Sequence, residues 1–337
     1  MHARLALLAV CAWFFGSSTS GLCDTITLNP KIFPLSSLTL ITGMVFDGKS
    51  IWVGDEGKQL VRLDAHYAIA QRVKVSFASF AVGNDGAIYA ADEKTIWQIS
   101  RDSGKVKKIP GLGIDNCSQN MMTTSGPFVW VLSGCKAKTD STPPEFSSLL
   151  LRINPKTGER DVATLAPLGN GGNQMLVNQG KVWVNVDYCS VVDEKTLEIK
   201  TFQPGRAASV DRLSGNAHAI YLVASGSDPG PQFIVAIDPN TFEETARTTI
   251  DDFVGNIMAD EQNVIAFGQG QIYVLSARDL TLERVIKTEL IQFHADWALF
   301  RNGDLLVADD ELGVDIPNRL LLFHDWRPAA APMSAPK

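Results

Sequence analysis

The feature that most constrains this chain is a short β motif that recurs seven times. Each copy holds an apolar strand, a turn, and a second short strand built round one residue, usually bulky. These central positions are Trp52, Tyr89, Trp130, Trp183, Tyr221, Ala266 and Leu306. Repeats of about 40–50 residues made of short strands are typical of four-stranded β-propeller blades. We therefore predict an all-β fold, a seven-bladed β-propeller in which each repeat supplies one blade.

Turn signals separate the strands within each copy. The first hairpin reads Asp47-Gly48 in blade 1, and glycine adopts the positive φ of such turns at little cost. The turn between the third and fourth strands begins with Asn154-Pro155 in blade 3, a pair that favours turn initiation. Because the aromatic repeat residues occupy equivalent strand positions, we predict that they pack between neighbouring blades.

The seventh copy lacks one strand, and the N-terminal segment offers one strand too many. The seventh copy has only three strands and stops at Asp325-Trp326, whereas Thr25–Phe33 precedes the first copy without a partner of its own. We predict that this N-terminal strand completes the last blade, which closes the ring and removes an exposed sheet edge. Residues 24–326 then form a single propeller, and the Ala/Pro-rich residues 327–337 form a disordered tail.

Residues 1–21 have the order of a secretory signal peptide: a positive charge, the apolar stretch Leu5–Phe15, then small residues. Cleavage after Ser20 or Gly21 fits this order. Cys23 allows a lipoprotein alternative, which the bulky Leu22 disfavours. No later stretch of about 20 apolar residues exists, so we expect no transmembrane segment and an exported protein, periplasmic or extracellular. The net charge of −7 disfavours a general affinity for nucleic acid.

The cysteines suggest a pinned loop in blade 3. Cys117 lies in the linker that leads into this blade, and Cys135 lies at its second-to-third-strand loop, before a Ser/Thr/Pro-rich insertion. An exported chain can form disulfides. We predict a Cys117–Cys135 disulfide, with Cys189 of the neighbouring blade as the rival partner. A long pinned loop beside a channel is a candidate recognition element.

Polar residues stand where each blade begins. Among them, Asn120, Asn173, Asp211 and Asn256 are candidates for a ligand-binding ring at the channel mouth, and the alternative is that they satisfy backbone groups at strand starts. His294 and Asp296 lie at the start of blade 7. A general base at the channel is one interpretation of His294, and a structural histidine is the other.

The second-to-third-strand loops are acidic. They contain the ligand-binding candidates Asp55, Asp92, Asp187 and Asp309. Clustered carboxylates can hold a calcium ion or face a basic partner, and solvated surface charge is the alternative. The chain has no Asp-x-Asp-x-Asp-Gly loop that would strengthen the calcium interpretation.

Three stretches share a finer pattern: Gly48–Asp64, Gly180–Thr196 and Ile234–Thr245. Features of this pattern are a glycine turn, an "IWV" or "VWV" strand, and a third strand that ends in Asp before "P-x-T" or "x-K-T". In this pattern the chain resembles exported bacterial propellers of the YVTN/YncE-like and NHL-like repeat groups, and distantly the streptogramin B lyases. Likeness to the lyases would imply a metal-assisted elimination by channel-facing His and Glu, and this chain offers only His294 and the acidic loops. Six-bladed lactonases differ in blade number.

Two classes of function follow from the sequence. The first is an exported binding or scaffold module that holds a protein, peptide or small ligand through its channel face and the blade-three loop. The second is a metal-assisted lyase or hydrolase with its site at the channel mouth. Convergence of His294 with two or three carboxylates would favour the second, because such a set can hold a metal ion.

Overall fold

The computed structural model describes residues 23–92, 94–109, 117–136, 146–165, 174–186, 188–205, 207, 209–226, 232–288, 297–309 and 318–328, with the backbone alone at 117–120, 135–136, 146–147, 186 and 188. In these ranges the chain forms 29 strands in seven sheets. No helix within them is long and apolar enough to cross a membrane. The seven successive sheets confirm the predicted seven-bladed β-propeller.

The strands follow the chain order blade by blade. Two N-terminal strands come first: β1 (Asp24–Thr27) and β2 (Lys31–Pro34). Blade 1 contains β3 (Ile41–Phe46), β4 (Ile51–Asp55), β5 (Gln59–Leu63) and β6 (Ile69–Lys74). Blade 2 contains β7 (Ser79–Val82), β8 (Ile88–Ala91), β9 (Ile96–Ile99) and β10 (Val106–Ile109). Blade 3 contains β11 (Cys117–Ser125), β12 (Phe128–Lys136), β13 (Phe146–Ile153) and β14 (Arg160–Leu165).

The second half of the ring repeats this arrangement. Blade 4 contains β15 (Met175–Asn178), β16 (Lys181–Val186), β17 (Tyr188–Asp193) and β18 (Ile199–Phe202). Blade 5 contains β19 (Ser209–Gly215), β20 (Ile220–Ser225), β21 (Gln232–Ile237) and β22 (Glu244–Ile250). Blade 6 contains β23 (Asn256–Ala259), β24 (Asn263–Phe267), β25 (Gln271–Ser276) and β26 (Leu282–Lys287). Blade 7 contains β27 (Trp297–Arg301), β28 (Asp304–Asp309) and β29 (Arg319–Phe323).

Strand direction assigns every loop to one of two faces. Consecutive strands of a blade are antiparallel, and Ile41 at the start of β3 lies opposite Asp55 at the end of β4. The linkers between blades and the second-to-third-strand loops therefore share one face, which we call the linker face. The remaining hairpins form the opposite face, the turn face. First strands of neighbouring blades contact one another, so they surround the central channel.

The core is divided into seven apolar clusters, one in each seam between neighbouring blades. The aromatic repeat residues lie in these seams and are almost fully buried; they are Trp52, Tyr89, Trp130, Trp183 and Tyr221. Their burial confirms that they pack between blades. Trp52 also donates from Nε1 to the Asp47 carboxylate at 2.9 Å, which satisfies the polar end of a buried ring.

Blade 6 departs from the sequence alignment by one residue. Ala266 packs towards blade 5 in the cluster of Tyr221, whereas Ile265 packs towards blade 7, just as Trp52 packs towards blade 2. Successive side chains of a strand point to opposite faces, so a shift of one residue exchanges the two seams. The alignment on Ala266 was therefore wrong, and Ile265 is the equivalent position.

In blades 4, 5 and 6 the turn between the third and fourth strands carries an apolar residue. Its side chain packs in the seam between that blade and the preceding blade. In blade 4 the Asp193 carboxylate accepts two backbone N–H groups at 2.9 Å, and Leu197 follows with a left-handed φ of 62°. Phe242 (φ 64°) and Leu280 (φ 57°) occupy the same turn position in blades 5 and 6. Phe242 lies 5.6 Å from the Trp183 ring, centroid to centroid. Packing in the seam compensates for a backbone conformation that usually favours glycine.

The N-terminal segment closes the ring with two strands rather than one. β2 pairs antiparallel with β29, with Phe33 opposite Leu320, and so completes blade 7 as predicted. β1 instead pairs parallel with β26, with Thr25 opposite Val285, and becomes a fifth strand of blade 6. The placement of the whole of Thr25–Phe33 in blade 7 was therefore wrong for its first half. Pro30 lies between the two strands and has no N–H to continue a ladder.

Arg284 in β26 fastens both ends of the chain. Its Nη1 donates to the carbonyl oxygens of residues 325–327 at 2.7 to 3.4 Å, and its Nη2 donates to the Asp24 carboxylate at 3.0 Å. Arg327 pairs in turn with Asp260 at 2.7 Å. The ordered chain thus extends past the predicted boundary at Trp326. The rest of the expected tail, residues 329–337, lies outside the described ranges.

Candidate binding face

The acidic candidate residues lie on the linker face. The candidate of blade 1 is Asp55, at the end of β4. Its Oδ1 accepts the backbone N–H groups of Thr39 and Leu40 at 2.7 and 3.1 Å, and its Oδ2 accepts Gln59 Nε2 at 2.6 Å. Only 2% of Asp55 is exposed. The carboxylate therefore holds the linker from blade 7 against blade 1, because buried backbone N–H groups need a partner.

Asp309 and Asp92 are also engaged by neighbouring groups. Asp309 is buried and accepts Arg319 Nε at 2.6 Å across β28 and β29. Asp92 accepts the backbone N–H groups of Lys94 and Thr95 at 2.8 and 2.6 Å and forms an Asx turn. Among the residues whose placement is described, no three His, Cys, Asp or Glu side chains are grouped as metal ligands. In the described part of the face these three acids thus bind neighbouring backbone and side-chain groups, and their role in ligand binding stays a prediction.

Asp211 is the centre of a polar network at the start of blade 5. Its carboxylate accepts hydrogen bonds from Ser209 at 3.0 Å, from Gln232 at 3.2 Å, and from the Ser225 hydroxyl. Gln232 Oε1 in turn accepts the N–H of Val254 in the linker to blade 6 at 2.6 Å. The network therefore ties one blade to the next, and Asp211 is a bracing group within it.

Amide side chains that were not among the predicted site residues perform the same role in blade 4. Asn185 donates from Nδ2 to the Asp211 carbonyl at 3.1 Å, and Gln174 Oε1 accepts the N–H of Leu213 at 2.7 Å. Asn256, a predicted ring member, is buried and accepts the N–H of Ile257 at 2.9 Å. At Asp211 and Asn256 the polar ring thus satisfies strand-start backbone and neighbouring groups. No local motif marks Asn185 or Gln174.

Several predicted site residues lie outside the described structure. They are Asn173, Asp187, His294 and Asp296, together with residues 137–145 of the blade-three loop. Asn120 is placed in β11 by its backbone, opposite Ser133. The catalytic interpretation of His294 with Asp296 therefore stays a prediction, as does the role of the blade-three loop.

Strand register brings the two cysteines of blade 3 together. Cys117 and Cys135 are directly opposite in the antiparallel pair β11–β12, a position where Cα atoms are about 4.5 to 5.5 Å apart. The side chains of both lie outside the described atoms. Cys189, the rival partner, is a buried free thiol, and burial raises its pKa to about 12. Cys23 is likewise a free thiol.

Two exposed aromatic side chains lie on the linker face, and neither was predicted from the sequence. Phe253 in the linker from blade 5 to blade 6 is 59% exposed, and Trp297 at the start of β27 is 37% exposed. All other aromatic side chains that the structure describes are buried or half-buried. The signal that could have found Phe253 is its position in a linker directly after Asp251-Asp252, where no strand pattern gives it a core role.

The Phe253 loop is held on both sides. The Asp252 carboxylate accepts the Phe253 N–H at 2.8 Å, and its other oxygen accepts Tyr273 Oη at 3.0 Å and Gln271 Nε2 at 3.1 Å. Burial and this carboxylate raise the pKa of Tyr273 well above its usual range, so the hydroxyl remains a donor. Arg212 Nε also donates to the carbonyl of Gly255 at 2.5 Å. An exposed aromatic ring is thus presented by a braced loop.

The comparisons with known proteins support the fold. No protein-family model and no curated protein matches the sequence. Among solved structures, a chain of the Mitotic Checkpoint Complex is similar over 96% of this chain and 100% of that one, at 10% identity and a TM-score of 0.64. The Neurospora crassa Pan2 WD40 domain is similar over 84% and 88%, at 13% identity and 0.61. Saccharomyces cerevisiae Sqt1 is similar over 88% and 99%, at 12% identity and 0.55. At these identities the likeness establishes the β-propeller fold alone.

Proposed function

We propose that this chain is an exported binding or scaffold module that holds a protein or peptide on its linker face, beside the channel mouth. Phe253 and Trp297 would be the contact residues, and the blade-three loop would be a further recognition element. Export rests on the signal-peptide pattern, and a place among YVTN/YncE-like or NHL-like propellers rests on the repeat motif.

The exposure of Phe253 carries this proposal. A phenylalanine with 59% of its surface in water is unusual in a chain whose other described aromatic rings, Trp297 apart, are packed. Large aromatic side chains supply much of the energy at protein interfaces when a partner covers them. Trp297 belongs to the next blade on the same face, so one partner that crosses the seam would cover both.

The rigid mounting of Phe253 supports binding rather than loop fraying. Asp252 accepts hydrogen bonds from within the loop and from blade 6, and Gln232 accepts the N–H of the neighbouring Val254. A loop whose backbone is already held loses less entropy when a partner binds, so more of the contact energy appears as affinity. Asp251 is exposed beside it, which favours a partner with a basic group next to its apolar contact.

The alternative of a metal-assisted lyase or hydrolase receives no support from the described contacts. Its candidate residues His294 and Asp296 lie outside them, and Asp55 and Asp309 are occupied by hydrogen bonds and an ion pair. One of the similar propeller chains belongs to a protein assembly, the Mitotic Checkpoint Complex. That use of the fold agrees with a scaffold role for this chain.

Peptide selection on the immobilised mature protein tests the proposal. A random peptide library displayed on phage should yield peptides with apolar and basic residues. Phe253→Ala should weaken their binding by about tenfold or more, because it removes an interface anchor. Val162→Ala and Ile199→Ala are matched controls, since both residues are exposed apolar side chains on outer strands, and each should change affinity less than about twofold. If alanine substitution of Phe253 and of Trp297 leaves the affinity of the selected peptides unchanged, the proposed face is contradicted.

We also propose the Cys117–Cys135 disulfide, because a Cα separation of about 4.5 to 5.5 Å lies within the range that disulfides span. A non-reducing peptide map of the exported protein should show this link with Cys189 unpaired. The same digest should give an N-terminal peptide that begins at Gly21 or Leu22. A 117–189 link would contradict the pairing, and an N-terminal peptide that contains Ser20 or any earlier residue would contradict the cleavage site.

A further inference from the structure

The seams between blades are filled on the turn face by a recurring plug. A plug is a side chain that enters the seam from the following blade. It comes from the turn after the third strand of that blade. In five seams the described chain supplies one: Tyr67, Leu197, Phe242, Leu280 and Trp326. In the seam between blades 1 and 2 the space is filled from the preceding blade instead, by Gln71 of β6. The five plugs are large apolar or aromatic residues, so the seams are shaped for such groups.

The seam between blades 2 and 3 has no such plug among the described residues. The plug position there is Gly158, whose φ of 77° matches the other turns, and an added Cβ would meet nothing within 4 Å. The glycine of blade 2, Gly104, differs, because there the Gln71 side chain already fills the place that a Cβ would take. Gly158, which is exposed, therefore supplies no side chain at the position where the turns of blades 4 to 6 carry one.

A cavity of about 300 Å³ occupies this open seam. Its walls include the buried Tyr89, the half-buried Phe128 and Pro155, and the exposed Pro127, with Asp85 and Lys156 at its sides. Tyr89 is the repeat residue of blade 2 and thus the counterpart of Trp183, on which the Phe242 plug packs. The size is at the low end for binding pockets, which suits one large side chain better than an extended ligand.

A second cleft of about 580 Å³ shares Asp85 with this cavity and continues along blade 2. It is lined by Arg101, Lys105 and Lys107 together with Asp102. The lining has three cations against Asp85 and Asp102, a net charge of +1 (3 − 2), and Lys49 lies 3.6 Å from Asp102 at its edge. A segment that leaves the cavity in this direction would meet cations.

We infer that the blade 2–3 seam is a docking site for a partner protein that inserts one large apolar side chain where Gly158 supplies none. Acidic residues next to that side chain would lie in the Arg101–Lys107 cleft. The partner thus supplies the missing plug and completes the apolar packing round Tyr89. This site is on the turn face, so it is independent of the linker-face proposal.

Short peptides test the inference on the mature protein. N-acetyl-Trp-Glu-Glu-amide is the probe, and N-acetyl-Ala-Glu-Glu-amide is the control for charge alone, both measured by saturation-transfer NMR and titration calorimetry. The tryptophan peptide should bind at least about tenfold more tightly than the alanine peptide. Absence of binding at millimolar peptide, or equal affinity of the two, would overturn the inference.

Gly158→Leu supplies an internal plug and should compete with the peptide. Its φ is one that Leu197 and Leu280 adopt, so we expect a melting temperature no lower than that of the unmodified protein and affinity reduced by about tenfold or more. Gly48→Leu is the matched control, because Gly48 also has a positive φ (85°) and open space but lies at another hairpin. It should lower the melting temperature and leave affinity unchanged. Phe128→Ala removes one wall of the cavity and should also weaken peptide binding, which tests the site if Gly158→Leu fails to fold. Unchanged peptide affinity in folded Gly158→Leu and Phe128→Ala would refute the site.

Discussion

Replacing Trp326 with alanine is expected to lower the free energy of unfolding by about 4 kcal/mol, the range of buried Trp-to-Ala substitutions. Trp326 is fully buried and stacks on Phe300 with a ring-centroid distance of 5.5 Å. Its Nε1 donates to the carbonyl of Gly303 at 2.9 Å. The substitution would open a cavity in the seam between blades 6 and 7 and loosen the carbonyl groups that Arg284 binds. Chemical denaturation followed by fluorescence and circular dichroism measures the change.

Trp297→Ala is the matched control for this measurement. Trp297 is 37% exposed, so its removal should lower the free energy of unfolding by clearly less than Trp326→Ala does. If Trp326→Ala costs no more than Trp297→Ala, the C-terminal residues do not contribute to ring closure as the packing indicates.

Replacing Arg319 with methionine is expected to lower the free energy of unfolding by about 4 kcal/mol, because it leaves a buried carboxylate without its cation. Arg319 Nε lies 2.6 Å from the Asp309 carboxylate, and the Asp309 side chain is fully buried. The cost is the desolvated charge on Asp309 rather than the loss of packing, since methionine retains most of the aliphatic stem.

Two further variants isolate that cause. Adding Asp309→Asn to Arg319→Met removes the buried charge and should recover a large part of the loss. Lys58→Met breaks an exposed pair with Glu56 and should cost less than about 1 kcal/mol. A double variant that is no more stable than Arg319→Met alone would contradict the buried-charge explanation.

The number of blades could be predicted from the sequence because each blade repeats the same local signals. Trp52 and Trp183 stand in strands bounded by glycine turns, and both are buried in seams. Blade 6 shows where this reasoning fails. Its strand reads Asn263–Phe267, and without an aromatic residue at the repeat position nothing local distinguishes Ile265 from Ala266. Only packing against blade 7 decides which of the two faces that seam.

The candidate site was less predictable, because a carboxylate looks the same in sequence whether it binds a ligand or a backbone. Asp55 accepts the N–H groups of Thr39 and Leu40, which lie 16 and 15 residues away. Phe253 lies in a linker that is held by Gln232 of blade 5 and Gln271 of blade 6, and that arrangement depends on how the two blades meet. Hydropathy alone would have assigned Phe253 to a core.

The sequence by itself determined the repeated strands, their turns and the buried aromatic residues, because these depend on neighbours within about ten positions. Ring closure was decided only by the tertiary structure. β1 joined blade 6 while β2 joined blade 7, and Arg284 bound both chain ends across 260 residues from Asp24. The same holds for the cavity between blades 2 and 3, which exists only because Tyr89 and Phe128 of two different blades border it. Contacts between distant segments depend on the whole ring, and no local pattern encodes them.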